Sequence, residues 1–193
     1  MEYMDEKIIN LRNQAKKATH TDIEQGVYVY EELLAFERRK LFDEKMSILL
    51  PVSFEIMPEE IAKVKYPSEQ RPQLIYSNAA GDVNFTFSLL DAQVKPSQID
   101  EARDRFRGFI KKIQPANIFF EKKEEELGDT RVAWFDFKNY GLDAQLYNLF
   151  YFTDVKGMML HGIFNCKFKD AEVWKPVAEQ VIKSILVAER DGT

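Results

Sequence analysis

The chain has 193 residues, 45% of them hydrophobic and 13% aromatic, which is enough for one well-buried core and too little for two. Its 27 basic and 32 acidic residues give a formal net charge of −5, which argues against a phosphate backbone as the main partner. The basic runs at Arg38, Arg39 and Lys40 and at Lys111 and Lys112 lie beside acidic neighbours and read as solvated surface.

Cys166 is the one cysteine, so no intramolecular disulfide forms. The first forty residues mix both charges and hold no uninterrupted apolar segment of signal-peptide or membrane-spanning length. The expected setting is cytoplasmic, with neither membrane nor nucleic acid as partner.

Residues 5–19 place Ile8, Leu11, Ala15 and Ala18 on one side of an expected helix. That stripe is thin, because alanine buries little area. Thr21 and Glu24 have capping-box spacing, whereas Val27, Tyr28, Val29 and Tyr30 have the branching and aromaticity of a strand, so residues 20–37 fit either form. Residues 1–37 therefore read as a partly helical N-terminal extension, either a helical arm or a partner-binding tail. A single α+β domain is expected over residues 38–193.

In that domain, Leu41 and Phe42, a charged turn at 43–45 and the apolar run 46–50 closed by Pro51 spell two short strands. Pro58, Glu59 and Glu60 open a short helix that Pro67 stops. Strands over 73–77 and 83–90 flank a turn at 78–82, and in the second Val83, Phe85, Phe87 and Leu89 alternate with Asn84, Thr86 and Ser88. Ile99, Ala102, Phe106, Phe109, Ile110 and Ile113 then recur at helical spacing, with Ser97 and Asp100 as a capping pair and Pro115 as the stop.

Strands over 117–125, 130–139, 145–153 and 158–167, turning at Gly128, Gly141 and Gly157, predict an antiparallel meander. Ala133, Phe135 and Phe137 point one way and Val132 and Trp134 the other, while Leu146, Phe150 and Phe152 oppose Tyr147, Leu149 and Tyr151. Both faces are apolar, so helices must cover both. A last helix over 171–187 supplies one cover through Trp174, Val177, Ala178, Val181, Ile182 and Ile185, with Pro176 in its first turn or bending it. Burial of that stripe contributes on the order of 10 kcal/mol before entropy is subtracted. The expected fold class is α+β: a mostly antiparallel sheet covered by helices on both faces, an α/β/α sandwich.

The run Met46-Ser-Ile-Leu-Leu-Pro-Val-Ser-Phe54, an apolar strand ending in proline with an aromatic residue three positions on, resembles the opening of the Mog/PsbP-like fold family. So do Gly162-Ile-Phe-Asn-Cys166, then Trp174, then Val181-Ile-Lys-Ser-Ile185. The resemblance covers residues 40–187 and extends to PsbP-like and type VI effector-chaperone-like domains. It implies a scaffold for protein contacts, with no shared catalytic motif to carry over and no targeting or lipoprotein signal of the exported relatives.

The residues themselves offer little reactive chemistry. His161 and Cys166 are the one local pair able to make a thiolate and its base, yet a separation of five along a regular strand puts them on opposite faces. The bland reading is a small buried thiol and a histidine at a strand surface. His20 and His161 are too far apart to begin a zinc site, and Glu121 and the glutamates 124–126 spread over two strand faces, so no metal is expected. The eight glycines are isolated and form no phosphate cradle, so no cofactor is expected.

Asp136, between Phe135 and Phe137, is a partly desolvated carboxylate whose reading is a structural ion pair or hydrogen bond. With Trp134, Lys138 and Tyr140 it forms one candidate binding strip. A proline-bounded loop carrying Tyr66, Glu69 and Arg71 is a second, because a stiffened loop loses less entropy on binding. The functional expectation is a non-catalytic protein-binding module, adaptor or chaperone-like. The alternative is a small apolar-ligand-binding protein or an enzyme with a pocket on the sheet that uses Asp136 or His161. Self-association is expected, if at all, through residues 1–37.

Overall fold

The computed structural model describes Lys7, residues 19–141 and residues 144–189. The helix expected over residues 5–19 lies almost wholly outside the described residues. In chain order the elements are β1 (Val27–Val29), β2 (Glu32–Leu34), β3 (Phe36–Leu41), β4 (Met46–Pro51), β5 (Glu55–Ile56), α1 (Glu59–Lys65), β6 (Leu74–Ser77) and β7 (Asn84–Gln93). Then come α2 (Ile99–Ile113), β8 (Ile118–Leu127), β9 (Thr130–Tyr140), β10 (Gln145–Val155), β11 (Met158–Lys167), α3 (Ala171–Lys183) and β12 (Leu186–Val187).

Seven strands form one antiparallel sheet in the order β5-β6-β7-β11-β10-β9-β8. Short turns fold β8 to β11 into a meander, and α2 carries the chain from β7 across to the far edge, so that β11 returns to pair with β7. A second sheet, β12-β4-β3, and the hairpin β1-β2 complete the strands among the described residues. The alternation in β9 and β10 is realised as two cores. Val132, Trp134, Tyr147, Leu149 and Tyr151 join the large cluster that holds α3 and β4. Ala133, Phe135, Phe137 and Phe152 join Ile99 and Phe106 beneath α2.

The row Ile75, Thr86, Ile163, Phe150, Phe135 runs directly across five strands. It places α1, whose Ala62 packs on Ile75 with Met57, on the same face as α2. Helices therefore cover both faces of the sheet, α1 and α2 on one and α3 on the other, and on the α3 side the small second sheet shares the cover.

Several local readings change in the folded chain. Residues 20–37, open between helix and strand, form a turn at Asp22 and then β1, β2 and the start of β3. The branched and aromatic residues there win because Ile23, Val29 and Leu34 find a buried place in the large core, which a solvent-exposed helix would deny them. Ser97 does not cap α2. A 3-10 turn over Pro96–Gln98 leads in instead, and the Gln98 side chain accepts the Lys95 N–H at 3.0 Å.

The last helix stops at Lys183, short of the expected 187. The Ser184 hydroxyl donates to the Val181 carbonyl at 2.7 Å and accepts the Leu49 N–H at 2.9 Å, so the chain is pinned to β4 and continues along it as β12. Pro176 sits inside the helix, beyond its first turn, and forfeits one backbone hydrogen bond there.

Candidate functional site

The strip read along β9 divides in two. Trp134 is 3% exposed and lies in the α3 core, with the Lys183 ammonium 5.7 Å from its ring centroid. Asp136 is 1% exposed. Neither offers a surface, because strand alternation that turns a residue away from α2 turns it toward α3. Only the outer half is accessible: Lys138 places its ammonium 4.7 Å from the Phe168 ring and 5.0 Å from that of Tyr140, which is 53% exposed.

Asp136 is held by three donors from three elements. Register shifts between Phe119 and Lys122, so Phe120 and Glu121 together oppose Asp136 as a β-bulge. The bulge frees the Glu121 N–H from the ladder, and it donates to Asp136 Oδ1 at 2.7 Å. Oδ2 accepts the Tyr147 hydroxyl at 2.9 Å and the Lys175 ammonium at 2.8 Å. Lys175, on α3, replaces Lys138 as the cationic partner. Burial disfavours its charge, but the hydrogen bonds to Asp136 and Glu121 outweigh that and raise its pKa. The Tyr147 phenol is pushed up by burial and by the Asp136 charge. A carboxylate with three of its roughly four acceptor sites taken by donors from three elements is tied into the fold.

His161 and Cys166 lie on opposite faces. Cys166 is buried in the α3 core, where burial, with Asp170 and Asp82 nearby, pushes its thiol to about 12. His161 is half-buried rather than free at a strand surface. Its ring packs at 5.0–5.3 Å from the rings of Phe152, Phe106 and Phe150, its Nε2 is buried without a hydrogen-bond partner, and burial lowers its pKa to about 4. Thiolate and base are therefore both suppressed and separated by the sheet.

The acidic run of β8 is taken up by cations. Glu121 bonds Lys123 and Lys175, Glu125 bonds Lys183 and Glu126 bonds Arg131, while Glu124 meets the buried Arg103 of α2. The Lys175 and Lys123 bonds hold the Glu121 carboxyl down at about 2. No group of three metal-ligating side chains occurs among the described residues, and no helix among them is long and apolar enough to cross a membrane.

The second candidate, the loop after α1, is split differently. Tyr66 is a floor residue packed against Met57, Ala62 and Ile75, its hydroxyl accepting from the Asn165 amide at 3.3 Å, and burial raises its pKa. Glu69 is exposed, and Arg71 is partly buried with no hydrogen-bond partner for its Nε. Beside this loop stands a set that pattern reading missed: Val52, Ile56, Ile61 and Val64 are all exposed, Val64 to 83%. Ile61 and Val64 have a buried helix's three-residue spacing, yet α1 turns only Ala62 inward. No local signal distinguishes the two outcomes.

A cavity of about 280 Å³ opens on the α2 face, between the N-terminal half of α2 and the β7–β11 end of the sheet. Val94, Ala102, Phe106 and Met159 line it, with the polar Gln98 and Arg105 at its wall.

These features belong to an α+β domain with helices on both faces of its main sheet. No protein-family model matches the chain, and no curated protein is significantly similar to it. Solved structures are similar. Cyanobacterial PsbP (CyanoP) of Synechocystis has a TM-score of 0.58 at 14% identity, covering 84% of this chain and 98% of that one. A protein of Bacteroides thetaiotaomicron has a TM-score of 0.51 at 11% identity, covering 81% of this chain and 50% of that one. The Ran-binding protein Mog1p of Saccharomyces cerevisiae has a TM-score of 0.49 at 9% identity, covering 80% of this chain and 96% of that one. The chain has a Mog/PsbP-like fold.

Proposed function

We propose that this protein is a non-catalytic protein-binding module, adaptor or chaperone-like, whose partner docks on the surface formed by β5, α1 and the loop at residues 66–73. The observation that carries the reading is the concentration of exposed aliphatic side chains at Val52, Ile56, Ile61 and Val64, all within one stretch of chain at the sheet's edge. Scattered apolar residues on a surface are ordinary, and Ile56 opposes Tyr76 and so faces the α3 side, which leaves Ile61 and Val64, side by side on the outer face of α1, as the centre of the proposed interface. Here the rim is the Glu59–Lys63 pair together with Glu69 and Arg71. Pro67 and Pro72 stiffen the loop, which lowers the entropy lost on docking.

The test compares capture from native lysate by the wild type and by the Ile61→Glu/Val64→Glu double variant, with cross-linking and mass spectrometry. Both positions point outward, so the variant keeps its fold. A partner cross-linked to this surface and lost from the double variant supports the reading. An unchanged partner set rejects the surface, and absence of any specific partner rejects the protein-binding role. A version lacking residues 1–18 tests whether that segment contributes. Removal of all 37 would delete Ile23, Val29 and Leu34 from the core and abolish the fold along with any binding.

A further inference from the structure

We propose that α2 is the interface of a two-fold homodimer in which Phe109 of each copy fills the cavity beside α2 of the other. This inference does not rest on the β5–α1 surface and stands or falls separately. It begins from two features of one helix. Phe109 is 58% exposed although the helix has a well-filled buried face through Ile99, Phe106 and Ile110. The cavity of about 280 Å³ lies against the same helix at Gln98, Ala102 and Arg105.

Ala102 and Phe109 are seven residues apart, two helical turns, so they project in nearly the same direction and about 10 Å apart along the axis. A two-fold axis perpendicular to α2 and lying between the two copies, level with residues 105 and 106, sets Phe109 of each copy over Ala102 of its mate. Knob and hole are then exchanged symmetrically, as an isologous contact demands. The volume suits the occupant: a cavity of about 150 Å³ holds benzene, so this one accepts a phenyl ring against Val94, Phe106 and Met159 with room for the neighbouring backbone.

Charge follows the same symmetry. Glu101 near the start of α2, paired with Arg105 in its own copy, and Lys112 near the end lie on one flank of the Ala102–Phe109 face, so an antiparallel mate brings Glu101 of each copy toward Lys112 of the other. The macrodipoles of the two helices oppose in the same arrangement. A parallel mate would stack like charges, and a neutral small ligand would make no use of the acidic-to-basic gradient, so a second copy of this chain fits the surface best.

The test is the mass in solution of the full chain by sedimentation velocity across a concentration series, read against the 22.6 kDa chain mass. The wild type is expected to move to twice that mass as concentration rises. Phe109→Glu withdraws two rings from apolar surroundings at once and raises the dissociation constant by at least roughly a hundredfold. Lys112→Glu and Glu101→Lys, which alter exposed positions and keep the core intact, each stay at the single-chain mass alone and form a mixed dimer when combined. A wild type at single-chain mass throughout the series overturns the proposal, as does one whose cavity takes up benzene without dimerising. So does a dimer that survives Phe109→Glu, or charge variants that fail to pair when mixed.

Discussion

Replacing Asp136 with alanine removes the acceptor that three elements share. The Glu121 N–H of the bulge, the Tyr147 hydroxyl and the Lys175 ammonium all lose a partner at 2.7–2.9 Å. Breaking one side of a buried ion pair costs about 3–5 kcal/mol, and each orphaned neutral donor adds about 1–3 kcal/mol where water cannot reach it. Lys175 keeps 28% side-chain exposure and regains hydration, so its own term shrinks to about 1 kcal/mol and, with the two orphaned neutral donors at the low end, the total is about 3–5 kcal/mol. At roughly 2–4 °C per kcal/mol for a chain of this size, the melting temperature falls by about 10 °C.

Asp136→Asn keeps one oxygen for the bulge N–H but turns an amide donor toward donors, and loses about half as much. The assay is urea unfolding followed by tryptophan fluorescence, with Lys175→Met completing a double-mutant cycle whose coupling is expected at about 1–3 kcal/mol. A loss below about 1 kcal/mol for Asp136→Ala, or zero coupling to Lys175, would refute the assignment of this carboxylate to the fold.

Other residues give shorter tests. His161 has its pKa lowered to about 4 by burial, below the usual 6.5, so the unfolded chain binds the proton more readily. Stability present above pH 6.5 is therefore lost as the pH falls toward 4, by at most roughly 3 kcal/mol. His161→Phe should flatten that part of the melting-temperature profile, and an unchanged slope counts against the enclosed neutral ring. Gly162 sits under the Tyr151 ring, whose hydroxyl donates to the Thr86 carbonyl at 3.0 Å, and a Cβ there would overlap the ring. Gly162→Ala is thus expected to cost about 3 kcal/mol by overpacking; calorimetry showing under about 0.5 kcal/mol would mean that the tyrosine moves freely aside. Cys166, with its thiol at about 12 inside the core, should react with a disulfide reagent only as fast as the chain unfolds, and immediate stoichiometric labelling of native protein would contradict its burial.

Much of the main sheet was legible in the sequence because its signals are local. The alternation in Val132 to Phe137 and in Tyr147 to Phe152 put each side chain on the face where it is found, and the helical stripes of α2 and α3 named much of their buried sides, although Phe109 and Ile113 stand exposed and Arg103, outside the stripe, is buried. The separation of His161 and Cys166 followed from parity alone. The candidate site was less accessible. Asp136 was readable as a structural carboxylate, but its partners were not: Lys175 comes from 39 residues away, and the bulge that supplies the Glu121 N–H leaves no mark in the residues around Phe120. Trp134 lay on the right face for a strip, yet nothing local tells a face covered by α3 from one open to a partner.

The sequence by itself determined which stretches alternate and which repeat helically, and with them the two apolar faces, since period and residue type are properties of neighbouring positions. Only the tertiary structure decided that residues 20–37 join the core, that β7 pairs with β11 across the inserted α2 and meander, and that Ile61, Val64 and Phe109 stand outside while Asp136 lies within. Those outcomes depend on which distant element reaches a given face first. The side chain being covered carries no record of that.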